Sequence, residues 1–195
     1  MITTTPSPIR PPDRRPAAAA RGFTLVEVMI SAGLAAFLLA AVLSTFLFMG
    51  RSGANLRNYS DMEAQARTAL ELFAEDSRQA SAVTWNSSSS VTLTVIGVAV
   101  TYAYDSSAGT FSRTASGSTR TLITGITSGT FTFTAYNVNG TSLSLASASD
   151  CTASSASTKQ IQISLQASRT NTTVVAATNT VLSARFILRN KVVTA

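Results

Sequence analysis

Residues 23–49 run for 27 positions with a single charge among them, Glu27, and the next acidic side chain is Asp61. A helix needs roughly 20 apolar residues to span the hydrocarbon of a bilayer, so this run is long enough to cross a membrane. Arg21 and Gly22 stand immediately before it. Pro6, Pro8, Pro11, Pro12 and Pro16 are all five prolines of the chain, interleaved with arginines and followed by Ala17 to Ala20. Such a segment has nothing to bury, and residues 1–20 are expected to be disordered. Basic charge just ahead of an apolar run holds that end in the cytoplasm, although Arg51 and Arg57 beyond the run weaken the asymmetry. A secretory signal peptide has an apolar region of about 7–15 residues followed by small residues at a cleavage site. Here the run is longer, and Ala32, Gly33, Ala35 and Ala36 lie within it, where they permit close helix approach.

The chain has 195 residues, 45% hydrophobic and only 12% charged, with a formal net charge of +6. Arg10, Arg14, Arg15 and Arg21 against Asp13 place +3 of that in the first 22 residues. Taking those four from 15 basic residues, and that one from nine acidic, leaves 11 and eight. The basic balance is thus partly a property of the leader, and nucleic acid is not favoured as a partner. There is no histidine, and Cys151 is the only cysteine. An internal disulfide is excluded, as are the common zinc spacings and any Ser/His or Cys/His catalytic pair. No enzyme, cofactor or metal is expected.

Beyond Arg51 the chain becomes amphipathic. Leu56, Tyr59, Met62, Ala66, Leu70, Phe73 and Ala80 recur at helical spacing, with charged residues between them. Glu63 and Arg67 form an i,i+4 pair in the favourable order, and Glu71 with Glu75 an unfavourable one. The pattern predicts one helix from Phe23 to Ala82, a rod of roughly 90 Å: residues 23–49 in lipid, residues 50–82 amphipathic. Gly50 and Gly53 loosen the junction.

Residues 83–195 read as a β-rich domain. After Trp85, 86–90 read as a loop; Val91–Val95 and Val98–Tyr104 then alternate as strands, with Gly97 a turn or a bulge between them. Further strands are predicted at Thr110–Arg113, Arg120–Ile123, Thr130–Tyr136, Thr141–Leu145, Ile161–Arg169 and Val181–Leu188. Asp105–Gly109 is a turn, and Asn139-Gly140 is a hairpin signal. Ala146–Thr158 reads as a Ser/Ala-rich loop holding Cys151 as a free thiol. The fold class expected is α+β, an antiparallel sheet with one face covered by residues 56–80 of the helix.

The string Gly22-Phe23-Thr24-Leu25-Val26-Glu27, behind a basic leader and at the head of a spanning run, resembles the prepilin processing site of type IV pilins and type II secretion pseudopilins. The resemblance implies that residues 1–22 are a leader removed by prepilin peptidase between Gly22 and Phe23, and that the new Phe23 amine is N-methylated. It implies that Glu27 is the glutamate that promotes docking of one subunit on another. A carboxylate inside a membrane helix costs roughly 2.5–3.5 kcal/mol on insertion scales, and a neighbour's Phe23 amine would offset it. Head-to-tail contact of that kind repeats as an open filament. The partners implied are other pilin or pseudopilin subunits, an inner-membrane assembly platform and membrane lipid. The location implied is the inner (cytoplasmic) membrane, with the N-terminus cytoplasmic and the C-terminal domain periplasmic or extracellular.

The strings Val100–Asp105, Gly109–Arg113, Gly129–Tyr136 before Asn139-Gly140, and Ala184–Asn190 resemble W-type minor pilins and J-type minor pseudopilins. Ser44 stands where many major pilins place a helix-kinking proline. The paired C-terminal cysteines of many pilins are absent, which leaves the C-terminal region unclamped. Tyr102, Tyr104, Phe111, Phe131, Phe133 and Tyr136 at alternating strand positions are read as core. Arg113, Arg120, Arg169, Arg185, Arg189 and Lys191 are read as a solvated face rather than a DNA-binding one. Asp105 and Asp150 have no motif around them. The rival readings are an unpolymerised, single-pass anchored binding protein and a DNA-uptake pseudopilin.

Overall fold

A computed structural model describes residues 22–171 and 174–193, with side chains described outside 170–180. The predicted disorder of residues 1–20 therefore lies outside the described residues. The chain forms two compact units, Met1–Phe46 and Leu47–Ala195. Helix α1 spans Leu25–Gln79, close to the predicted span but three residues shorter at its end. The strands are β1 (Ala80–Ser87), β2 (Ser90–Val95), β3 (Val98–Asp105), β4 (Thr110–Ala115), β5 (Ser118–Thr124), β6 (Thr132–Tyr136), β7 (Ser142–Leu143), β8 (Gln160–Asn171) and β9 (Val174–Ile187). A second helix, α2 (Ala148–Ser157), precedes β8.

The strands form two antiparallel sheets rather than one: β1-β2-β3-β4-β5 as a meander, and β7-β6-β8-β9. Strand β1 replaces the expected end of the helix (80–82) and the start of the expected loop (86–87). Its alanines suit a helix, but Val83 and Trp85 are buried opposite Leu93 and Val91 of β2, and that burial outweighs a weak propensity. Ile96 and Gly97 both have positive φ, so Gly97 closes a two-residue hairpin turn rather than a bulge. Gly125 links the sheets. It has φ +75, and a Cβ there would lie 2.7 Å from the Ser168 carbonyl oxygen, so only glycine allows this approach.

Helix α1 covers both sheets through one buried line, Met62, Ala69, Phe73 and Asp76. Leu56 and Tyr59 were predicted on this face, but they are exposed, and Ala66 and Leu70 are half-buried. Phe73 is fully buried; its ring meets Tyr102 of β3 at 4.8 Å, Phe133 of β6 at 6.3 Å and Phe186 of β9 at 5.1 Å. Burying such a ring is worth about 2–3 kcal/mol. The aromatic core reading holds for Tyr102, Phe111 and Phe133, which are buried, with Tyr104 and Phe131 stacked at 4.5 Å beside them.

The Arg113 side chain is not on a solvated face. Its Nε donates to Asp76 Oδ2 at 2.7 Å and its Nη2 to Oδ1 at 3.3 Å, while Tyr102 donates its hydroxyl to Oδ2 at 2.5 Å. Asp76 is thus a buried helix carboxylate satisfied by two strands. Burial and the neighbouring carboxylate push the Tyr102 phenol well above its ordinary range, and the hydrogen bonds to Asp76 raise Arg113. The helical pair also differs from expectation: Arg67 bonds Glu71 at 3.0 Å. Both side chains are mostly exposed, so the pair contributes little.

The segment predicted as a Ser/Ala loop is α2. Ser147 caps it by accepting from the Asp150 amide, and alanines fill a stretch with no glycine or proline. Cys151 is buried in it as a free thiol. Trp85 Nε1 donates to Thr158 Oγ1 at 2.9 Å, which ties α2 to β1. Lys191 is not solvated either. Its ammonium donates to the carbonyls of Ser155, Ala156 and Thr158 at the end of α2, where a cation is favoured. Burial and nearby Lys159 lower its pKa. Asn190 Nδ2 bonds the Gln79 carbonyl at 3.2 Å, and Leu188 is buried. The C-terminal region is therefore clamped without a disulfide, contrary to expectation.

Asp76→Ala leaves a guanidinium and a phenol without their shared acceptor. A fully buried pair broken on one side costs about 3–5 kcal/mol. Arg113 keeps a quarter of its side chain in water, so the expected loss is about 2–3 kcal/mol. Urea unfolding followed by the fluorescence of Trp85, the one tryptophan, measures it as a lower midpoint at unchanged slope.

Candidate functional site

The first described residues lead into the apolar end of α1. Gly22 and Phe23 are exposed ahead of the helix, with Phe23 87% accessible. Thr24 is the residue before the first helical position. Its hydroxyl accepts from the Glu27 amide at 3.3 Å, while its amide and hydroxyl both donate to Glu27 Oε2 at 3.0 Å. This is a capping box, with threonine at the N-cap and glutamate three positions on. It satisfies orphan amides that water would otherwise have to reach, and it places a carboxylate at the positive end of the helix dipole.

From the sequence, Glu27 is a lone charge expected to find its partner on another subunit. The structure gives it an intrachain partner first. The signal was present in Thr24-Leu25-Val26-Glu27, whose threonine-to-glutamate spacing is that of a helix start. Both bonds end on Oε2, so the carboxylate is oriented by its own chain.

Ser31 and Thr45 further along are also internally satisfied. Ser31 Oγ donates to the Glu27 carbonyl at 2.7 Å, and Thr45 Oγ1 to the Ala41 carbonyl at 3.0 Å. Such back-bonding hides a hydroxyl on a helix surface. The apolar side chains have no such recourse: the most apolar 18-residue window of α1 has a mean hydropathy of 2.3, and none of it is buried. Phe37, Phe46 and Phe48 are 74%, 67% and 72% exposed. A surface of this kind needs lipid or other apolar helices to cover it. By length and composition α1 is able to cross a membrane.

The other candidate residues are dispersed. Asp105 caps its own turn by accepting from the Ser107 hydroxyl at 2.6 Å and from the Ala108 and Ser107 amides, which holds its carboxyl below the usual range. Asp150 accepts from Ser144 at 2.8 Å. Arg185 stacks over Tyr136 at 3.8 Å and donates twice to Gln162. Arg169 donates to Thr124 at 2.6 Å. Among the described residues, no group of three or more His, Cys, Asp or Glu side chains is placed to hold a metal ion.

Residues 18–43 match the family model of the prokaryotic N-terminal methylation motif. The match spans Gly22-Phe23, the capping box and the first turns of the apolar helix. It supports a type IV pilin-like protein, of pilin or pseudopilin type, processed by prepilin peptidase and assembled with other pilin subunits. The motif and the apolar helix fit a membrane-anchored, single-pass protein. No curated protein and no solved structure matches the chain.

Thr24→Val removes the hydroxyl half of the capping box at nearly constant volume. Loss of an N-cap costs about 1 kcal/mol, roughly a fivefold change in local opening. Hydrogen exchange of the Glu27 amide in detergent micelles is expected to quicken by about that factor, with exchange at Phe73 unchanged.

Proposed function

We propose that this chain is a minor pilin or pseudopilin, cleaved between Gly22 and Phe23 and N-methylated on Phe23. It is incorporated into, or primes, a type IV pilus or a type II secretion pseudopilus. The observation that carries this is the capped helix head. A carboxylate oriented at the first turn stands four residues from the proposed new amine, on a helix whose apolar surface has no cover of its own. Cleavage at Gly22 turns a neutral peptide bond into a cation at Phe23, and methylation leaves that charge in place. The cation of one subunit then meets Glu27 of the next, in surroundings where an unpaired charge is costly. The match ends at residue 43, so the minor-subunit assignment rests on the resemblance of the β-rich region to W-type and J-type subunits.

In this reading the leader is cytoplasmic and residues 50–195 are periplasmic or extracellular. The assembly platform of the inner membrane is the remaining partner. The dispersed, internally bonded carboxylates of the β-rich region give no support to a catalytic role.

Two outcomes test the reading. Coexpressed with prepilin peptidase, the protein should yield an intact mass that begins at Phe23 and carries one added methyl group. A mass that still includes residues upstream of Phe23 removes the main support. Glu27→Ala should be processed and inserted normally but should no longer co-purify with sheared filaments. Incorporation at the wild-type level would sink the pairing role of Glu27.

A further inference from the structure

A groove runs between α1 and the free edge of β5, and the filament reading assigns it no role. Strand β5 ends the five-stranded sheet. The β4–β5 turn consists of Ser116 and Gly117, with φ of 50 and 79. Two left-handed residues make a type I′ hairpin, in which Ala115 and Ser118 are the hydrogen-bonded pair next to the turn. Alternation along the ladder then directs the N–H and C=O of Thr119 and Thr121, opposite Thr114 and Ser112, away from β4. Beyond the register shift that follows, the Thr124 amide donates to Gln65 Oε1 of α1 at 3.1 Å. A side-chain carboxamide oxygen there occupies the place of a neighbouring strand's carbonyl.

A cavity of 310 Å³ lies along this edge. Ala64 and Thr68, one turn apart on α1, form one wall and are small enough to leave it open. Leu122, which is buried, and the exposed Arg120 and Thr121 form the other. Among the described residues the two ion pairs are Arg67–Glu71 and Arg113–Asp76, so Arg120 brings an uncompensated positive charge to the groove.

We propose that this groove binds an extended, carboxylate-bearing peptide segment of a partner protein, which adds to β5 as a sixth strand and sets its carboxylate on Arg120. Donor and acceptor groups repeating at every second residue are matched by another peptide main chain, which has the same period. An acyl chain has no groups to pair with them. Strand addition at an open edge draws affinity from the main chain and selectivity from the flanking side chains, here the small α1 wall, Leu122 and the Arg120 guanidinium.

The probe is the peptide acetyl-Val-Thr-Val-Thr-Val-Asp, titrated into the full chain in detergent micelles and followed by backbone amide shifts. Saturable shifts are expected at Thr119, Thr121 and Ala64. Thr121→Pro removes an outward N–H and leaves the β4 ladder intact, and Ala64→Trp fills the groove from the helix side. Each should retain the wild-type unfolding midpoint while affinity falls at least about tenfold. Arg120→Gln should weaken the acidic peptide and leave its neutral, amidated Asn analogue unaffected. Absence of saturable binding to the wild type, or unchanged affinity in Ala64→Trp, overturns the proposal. Equal effects of Arg120→Gln on both peptides overturn the carboxylate contact.

Discussion

The structure depends on one helix carrying two incompatible surfaces. Up to Met49, Glu27 and the hydroxyl residues Ser31, Ser44 and Thr45 apart, the side chains of α1 are apolar, and all are exposed. From Met62 onward a single line of residues is buried, and at its centre Phe73 touches both sheets. A helix of 55 residues is far longer than usual in globular proteins. Its intrinsic propensity is not enough to stabilise it in water, so each part depends on an environment: packing for one, an apolar medium for the other.

Each part holds a carboxylate that is bonded within the chain. At the head, Thr24 and Glu27 satisfy one another. Toward the end, Asp76 is held by Tyr102 and Arg113. The two carboxylates nevertheless differ in consequence. Asp76 is enclosed by two strands and serves the fold. Glu27 is bonded through one oxygen on an exposed helix end, which orients the carboxylate without enclosing it. That difference leaves Glu27, unlike Asp76, open to a charge from outside the chain.

The C-terminal region shows how packing replaces a covalent clamp. With one cysteine in the chain, no internal disulfide is available. Lys191 instead enters the carbonyl end of α2, Lys159 donates to the Lys191 carbonyl, and Asn190 reaches the last carbonyl of α1. These bonds join the chain's end to both helices. A cation at a helix C-terminus gains from the dipole as well as from the carbonyls, which offsets the burial of its charge.

The sequence by itself determined the apolar helix, the processing motif at its head and most of the strands. Each of these is written in local order: an uninterrupted apolar run, residues at fixed offsets, or alternation with period two. The capping box of Thr24 and Glu27 has the same local spacing, although by sequence alone Glu27 is assigned only to a partner subunit. What only the tertiary structure decided was everything that rests on distant partners. The junction between the two sheets depends on Gly125 approaching Ser168, and the strand character of residues 80–87 on Val83 and Trp85 finding Leu93 and Val91. The pairing of Arg113 and the burial of Lys191, both read as solvated, depend on an acid 37 residues away and on carbonyls at least 33 residues away. A charge pattern along a chain carries no record of which element will be folded against it, and that is the physical reason those assignments needed the structure.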